Sequence, residues 1–392
     1  MSSFKLLTAS AVAFPMIVLS ACASPSTGTG APAPDGGFRI EGTQGGALNA
    51  VELSVFDNPW AMTFLPDGRA LVTEQDGAIW LLNTDGSKAG RVTGGPEVED
   101  RGQGGLGDII LHPDFASTGE AYVSYVARDA DNDELSGAVA ELATLSLTET
   151  GGTFTARDVI WRQFDVVPGN GHYGHRMVVS PDGYLFITSG ERQKFTPAQD
   201  MGSTLGKVVR LNLDGSVPED NPFADQGGPA AEVWTLGHRN PLGIDFDAEG
   251  RLWAQEMGPQ HGDELNLIIR GQNYGYPEVS NGDHYDGREI PDHDTRPEFA
   301  APATYWVPAI SPAGLDIYGG ALFSGWQGDA LIGGLSSQAL VRVTLNADGT
   351  AAEAERYEWG ARVREVEEGP DGAVYVLEDD AQGRLLRLTP AG

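Results

Sequence analysis

Residues 181–190 read PDGYLFITSG, a Pro-Asp-Gly turn followed by a run of β-forming side chains. Proline presets one turn dihedral and glycine supplies the positive φ of a tight turn, so the phrase reads as a hairpin turn feeding a strand. It recurs along the chain. Pro66-Asp67-Gly68 leads into Arg69–Glu74 (RALVTE), residues 247–250 (DAEG) into Arg251–Glu256 (RLWAQE), and Pro370-Asp371-Gly372 into Ala373–Glu378 (AVYVLE). Looser copies are AYVSY after Gly119-Glu120 and ALIGG after Gly328-Asp329.

The copies begin near residues 66, 113, 181, 247, 326 and 370. A turn followed by an inner strand, repeated at such intervals, predicts an all-β fold, a six-bladed β-propeller with four-stranded blades and loops of unequal length. One blade cannot bury both faces, so neighbours must stack and the ring must close around a channel. A β-sandwich would leave the repetition unexplained. The repeated phrase is scaffold, and the residues unique to each copy are the functional candidates.

Composition agrees. Glycine accounts for 53 of 392 residues and proline for 24, with no collagen period, which points to many tight turns. A hydrophobic content of 40 % with 21 % charged residues supplies a core. The formal net charge of −31 argues against a nucleic-acid partner, because such a surface repels phosphate.

Residues 6–19 (LLTASAVAFPMIVL) follow Lys5 as an apolar run too short to span a bilayer and suited to a signal peptide. Leu19-Ser20-Ala21-Cys22 then resembles a bacterial lipobox, which would lipidate Cys22. Ordinary cleavage at the A-x-A-like Ala21-Cys22-Ala23 is the alternative, and either route exports the protein. The domain plan is therefore a leader over 1–22, a Pro/Gly-rich tether over 23–37 and a propeller over 38–392. The expected location is the periplasm, with an N-terminal lipid on the outer membrane as the one membrane attachment. Cys22 is the only cysteine, so no intramolecular disulfide can form.

Polar clusters lie between the repeats. Arg101–Gly107 (RGQGGLG) lacks the Lys-Ser/Thr of a phosphate loop and reads as a glycine turn presenting Gln103 at a rim. In Gly169–Arg176 (GNGHYGHR) the glycines let His172 approach a ligand, where neutral imidazole can act as a general base; a loop histidine bonded to a carbonyl is the plainer alternative. His172 and His175 point to opposite faces of an extended chain, which disfavours a shared metal. Gly237–Ile244 (GHRNPLGI) offers Arg239 and Asn240 to carboxylates or carbonyls, though Arg239 could equally pair with a protein acid. In Gln255–Glu264 (QEMGPQHGDE) the Gly-Pro turn exposes carbonyl oxygens beside acids, a donor set suited to Ca²⁺ or simply an acidic turn. Arg362 and Arg364 project together at i, i+2 and need anions, from protein or ligand. The run 129–133 (DADND) lacks the later EF-hand ligands and reads as a solvated loop, and 281–298 reads as a polar rim insertion.

In this order, GQGGLG (102–107), GHRNPLGI (237–244), EMGPQHGDELNLI (256–268), NYGYP (273–277) and RVREV (362–366) resemble the pyrroloquinoline-quinone (PQQ)-dependent aldose sugar dehydrogenases of the glucose/sorbosone dehydrogenase family. The resemblance runs from about Phe56 to Leu388. It implies a six-bladed propeller that oxidises aldose sugars with PQQ and Ca²⁺ as cofactors. It implies His172 as general base, Gln103 on the substrate, and Arg239, Asn240, Arg362 and Arg364 on the quinone. Calcium would sit on the backbone carbonyls of Gly258 and Pro259. The native electron acceptor is not implied. Three positions depart from better-known relatives: Ser336 falls in the segment where they carry a cofactor lysine, Met257 replaces glutamine, and His175 replaces a common glycine. Two other classes fit a propeller, a metal-dependent lactonase or esterase and a non-enzymatic binding module.

Overall fold

The computed structural model describes residues 37–391, so the leader, Cys22 and nearly all of the tether lie outside the described residues. The fold is a β-propeller whose regular structure is nearly all strand, with one four-residue helix (Phe115–Thr118) and four short 3-10 turns among the described residues. Three sheets have four strands each: Gly174–Val179 to Val233–Leu236, Pro241–Phe246 to Thr304–Trp306, and Pro312–Ile317 to Ala351–Glu358. A nine-stranded sheet spans Pro59 to Pro168. Its halves meet in parallel where Gly152 and Thr153 oppose Val92 and Thr93. The fifth sheet joins the two ends of the chain, with Ala47–Phe56 antiparallel to Gly383–Pro390 and Phe38–Glu41 added at the edge.

The strands Pro59–Phe64, Leu106–Leu111, Gly174–Val179, Pro241–Phe246, Pro312–Ile317 and Val363–Glu368 each pack on the next, and the last returns to the first. These ring strands precede the repeated turns. The strand after each turn is therefore one place further out than the sequence reading had it. The reason is visible in its side chains. Ala70–Glu74, Leu252–Glu256 and Val374–Glu378 are buried at every position, as a strand between two neighbouring sheets must be. The ring strands instead carry the channel's polar residues, among them Asp108, Arg176, Asp245, Asp316 and Glu365. The turns behave as read: Gly68, Gly183, Gly250 and Gly372 all have φ between 73° and 85°.

The apolar core is divided into pads around the ring. One, between the two halves of the nine-stranded sheet, holds Leu71, Leu81, Ile109 and Val123; the next, between that sheet and its neighbour, holds Tyr122, Ile187 and Val209; and the pad at the closing sheet holds Leu48, Val376, Leu386 and Leu388. Stacking of neighbours buries them.

Near the upper end of the ring, each ring strand carries a register shift against its neighbour. Such bulges re-aim side chains at a rim. Second-strand side chains bridge these points. The Ala61, Asp108 and Arg176 N–H groups donate to the hydroxyls of Thr73, Ser124 and Thr188. Those hydroxyls in turn donate to carbonyl oxygens of the next ring strand: Thr73 to Gly107, Ser124 to His175, Thr188 to Pro241, at 2.8–3.0 Å. Gln255 donates likewise to the Ala313 carbonyl at 2.7 Å. A belt of side-chain hydrogen bonds thus fixes adjacent sheets at the end where the candidate site lies.

Closure through the chain ends makes the last sheet a sensitive point. Leu386→Ala, at a fully buried position of that pad, is expected to cost about 2–5 kcal/mol and lower the denaturation midpoint. An unchanged midpoint in a thermal or denaturant scan would contradict the role given to this pad.

Candidate active site

A cavity of about 430 Å³ opens at the belt end of the ring. Gln103, His175, Asn240, Met257, Arg362 and Arg364 line it, together with Trp60, Ser311, Leu335 and Asp379. His172 adjoins it through Gln103, whose Oε1 accepts the His172 backbone N–H at 2.7 Å. Arg239, Gly258 and Pro259 lie one step aside, around a small cleft that shares Met257 with the main cavity. Residues from five separate sequence clusters therefore converge on one place. Ser336 is not among the cavity-lining residues; its hydroxyl donates to the Ala309 carbonyl at 3.2 Å, and among the described residues no lysine lines the cavity.

His172 is held on three sides. Its φ of +52° is unusual for a residue with a side chain, and the surroundings enforce it. Arg192 is buried over the Tyr173 ring and donates to the carbonyls of Gly171, Gly169 and Ser136. That arginine clamps the loop. Nδ1 of His172 lies 2.5 Å from Glu191 Oε1, while Glu191 Oε2 accepts the Phe195 N–H at 2.6 Å. An ionised carboxylate only accepts, so Nδ1 carries the proton and Nε2 keeps a free lone pair. Burial lowers the His172 pKa below its ordinary 6.5; the hydrogen bond that Nδ1 donates to Glu191 opposes this, and the Arg239 charge adds to the lowering. The imidazole is neutral at neutral pH. Glu191 follows directly on the scaffold phrase YLFITSG, and that adjacency was its one sequence signal.

Arg239 is shaped by Glu256, which the sequence reading left as part of an acidic turn. Glu256 accepts the Arg239 N–H at 2.5 Å and sits 2.8 Å from His238 Nδ1. The guanidinium donates to the Met257 carbonyl at 3.1 Å, but its buried Nε has no partner. Neither side-chain atom of buried Asn240 has one. Unpartnered buried polar atoms are costly, and here they border a cavity. Gly258 donates its N–H to Asp263 at 2.9 Å. Among the described residues no three His, Cys, Asp or Glu side chains converge as a metal site.

Arg362 and Arg364 do project together, and the acid they meet is Asp379. Its Oδ2 lies 2.6 Å from Arg362 and its Oδ1 2.7 Å from Arg364. The pair holds this carboxyl below the usual range against the opposing effect of burial. Two guanidiniums on one carboxylate leave the cavity wall with a net positive charge, in a chain whose total is −31. The structure thus fits a polyanionic ligand: spare cationic charge, and orphaned donors at Arg239 and Asn240.

Residues 56–387 match the family model described as glucose/sorbosone dehydrogenase. The chain is 35 % identical over 341 residues to the aldose sugar dehydrogenase YliI of Escherichia coli, covering 85 % of this chain and 90 % of that protein. The crystal structure of the soluble aldose sugar dehydrogenase from Escherichia coli in the apo-form is similar with a TM-score of 0.82 at 34 % identity, covering 88 % of this chain and 100 % of that one. The PQQ-bound aldose sugar dehydrogenase of Streptomyces coelicolor follows with a TM-score of 0.69 at 26 % identity, covering 90 % and 99 %. On the extent of these matches, the chain belongs to the glucose/sorbosone dehydrogenase family.

Proposed function

We propose that the protein is a PQQ- and Ca²⁺-dependent aldose dehydrogenase that oxidises the anomeric carbon of the sugar to the lactone. The observation that carries this reading is the cavity itself. It gathers Gln103, Asn240, Arg362 and Arg364 beside a tautomer-fixed His172, and it is cationic within an acidic chain. The ring of six mutually packed strands supports a count of six blades, with the nine-stranded sheet as two of them.

In this reading Arg362, Arg364, Arg239 and Asn240 hold the carboxylates and carbonyls of PQQ, and the carbonyls of Gly258 and Pro259 hold Ca²⁺. PQQ, when bound, supplies the two-electron oxidising chemistry that no side chain has. The protein's part is proton handling and orientation. Nε2 of His172 takes the proton of the anomeric hydroxyl as that carbon is oxidised. Glu191 keeps Nδ1 protonated and steadies the imidazolium that forms. Gln103 is fixed through its Oε1, which leaves its Nε2 to donate to a sugar oxygen. The channel carboxylates surround Arg176, and among the described residues no three His, Cys, Asp or Glu side chains are placed to hold a metal, which weighs against a metal-dependent lactonase. Export, the lipid on Cys22 and a periplasmic location belong to the same proposal and rest on the leader sequence alone.

Three outcomes test it. His172→Ala is expected to lower kcat by about 10²–10⁴-fold while PQQ, titrated spectroscopically with Ca²⁺, still binds; retained turnover would overturn the base assignment. Arg364→Ala, which removes a charged donor, is expected to weaken PQQ binding by about 10- to 100-fold. The pH profile carries a sign. His172 must be neutral to accept a proton, so kcat/KM falls as pH drops through a pKa below 6.5. Glu191→Gln removes an influence that raises that pKa, so the acid limb moves to still lower pH while kcat declines. A limb above 6.5, or one moved upward in the variant, would sink the assignment.

A further inference from the structure

His175 is not used by the reaction above, and its placement is costly. Its φ is +62°, a conformation that non-glycine residues seldom hold. Its ring fits because residue 107 is glycine: a Cβ there would lie 2.0 Å from the His175 Cε1. The ring stacks on Trp60 with centroids 5.0 Å apart and an interplanar angle of 10°, and both residues line the cavity.

The belt of hydrogen bonds fixes its tautomer. Ser124 has one hydroxyl proton, which goes to the His175 carbonyl at 2.8 Å, as the Thr73 and Thr188 protons go to theirs. The Ser124 oxygen accepts the Asp108 N–H and can accept once more. At its 2.9 Å contact with Nδ1 it must therefore be the acceptor, so Nδ1 carries the ring proton. Nε2 is left with a lone pair and no hydrogen bond to the protein. Burial and the adjacent Arg176 hold the ring's pKa down to about 3, so the lone pair stays free at any working pH.

We propose that His175 is a ligand contact in this cavity, its Nε2 accepting a hydrogen bond from an N–H of the bound cofactor or an O–H of the bound sugar. The inference rests on the reading of the cavity as a quinone and aldose site. A neutral acceptor suits this wall, since the guanidiniums of Arg362 and Arg364 only donate and cannot accept a hydrogen bond from a ligand donor.

The test compares His175→Phe, which keeps a flat ring against Trp60 but has no acceptor, with His175→Gly, whose backbone suits a positive φ. Two constants are read for each: the Kd of PQQ with Ca²⁺ by absorbance titration without sugar, and the KM of D-glucose at saturating PQQ. Loss of one neutral hydrogen bond is expected to raise one of them by about 3- to 10-fold in both variants. A raised Kd assigns the donor to the cofactor, and a raised KM assigns it to the sugar. Both constants within two-fold of wild type in His175→Phe would overturn the proposal, even if His175→Gly is impaired, because ring packing would then be the whole role. If His175→Phe does not fold, unchanged constants in His175→Gly overturn it equally. A wild-type protein that binds no PQQ would overturn the parent reading and this one with it, whereas normal wild-type turnover with indifferent variants removes only the role of His175.

Discussion

The structure depends on ring closure. Ala47–Phe56 pairs with Gly383–Pro390, so strands from the two ends of the described residues complete one sheet, and that sheet packs on the first. The apolar side chains are shared between neighbours around the ring, and each pad exists only while both neighbouring sheets, or both halves of the nine-stranded sheet, are in place. Closure is also what brings Arg362 and Arg364 beside Gln103 and Asn240, residues far apart in sequence.

The channel end that carries the cavity is built against the chain's overall charge. Fifty-six acids outnumber 25 basic residues, yet the cavity wall holds two arginines sharing one carboxylate. Lower in the ring the balance reverses, with Asp108, Asp245, Asp316, Glu365 and Glu367 around Arg176. Burial and mutual repulsion push the Asp316 and Glu367 carboxyls well up, toward the neutral form. A polyanion is favoured at the rim, where the two guanidiniums outnumber the one carboxylate.

The site is rigid where proton transfer would occur. Asn58, His172, His175 and Ser311 all hold positive φ around the cavity or its edge. Each is flanked by a bulge or by hydrogen bonds that fix it, so the strain is borne by the sheets. The Arg192 clamp holds the loop, while the Glu191 carboxylate and the Ser124 hydroxyl each determine which ring nitrogen of a histidine is free. This is orientation set before a ligand arrives, the form of catalytic help a fixed scaffold can give.

The amino-acid sequence by itself determined the repeat, the turns with their glycines, and the motifs from which Gln103, His172, Arg239, Asn240, Arg362 and Arg364 could be singled out. These signals are local: a turn or an i, i+2 pair needs only a few neighbouring residues. Tertiary structure alone decided which strand of each repeat lines the channel, because that depends on what packs against both faces. It likewise decided that Asp379 joins the two arginines, that Glu191 and Glu256 orient His172 and Arg239, and that His175 lines the cavity against Trp60. Those relations join residues 15 to more than 100 positions apart. Hydrogen bonds and charge pairs act over a few ångströms in space whatever the separation along the chain, so only the closed ring could set them.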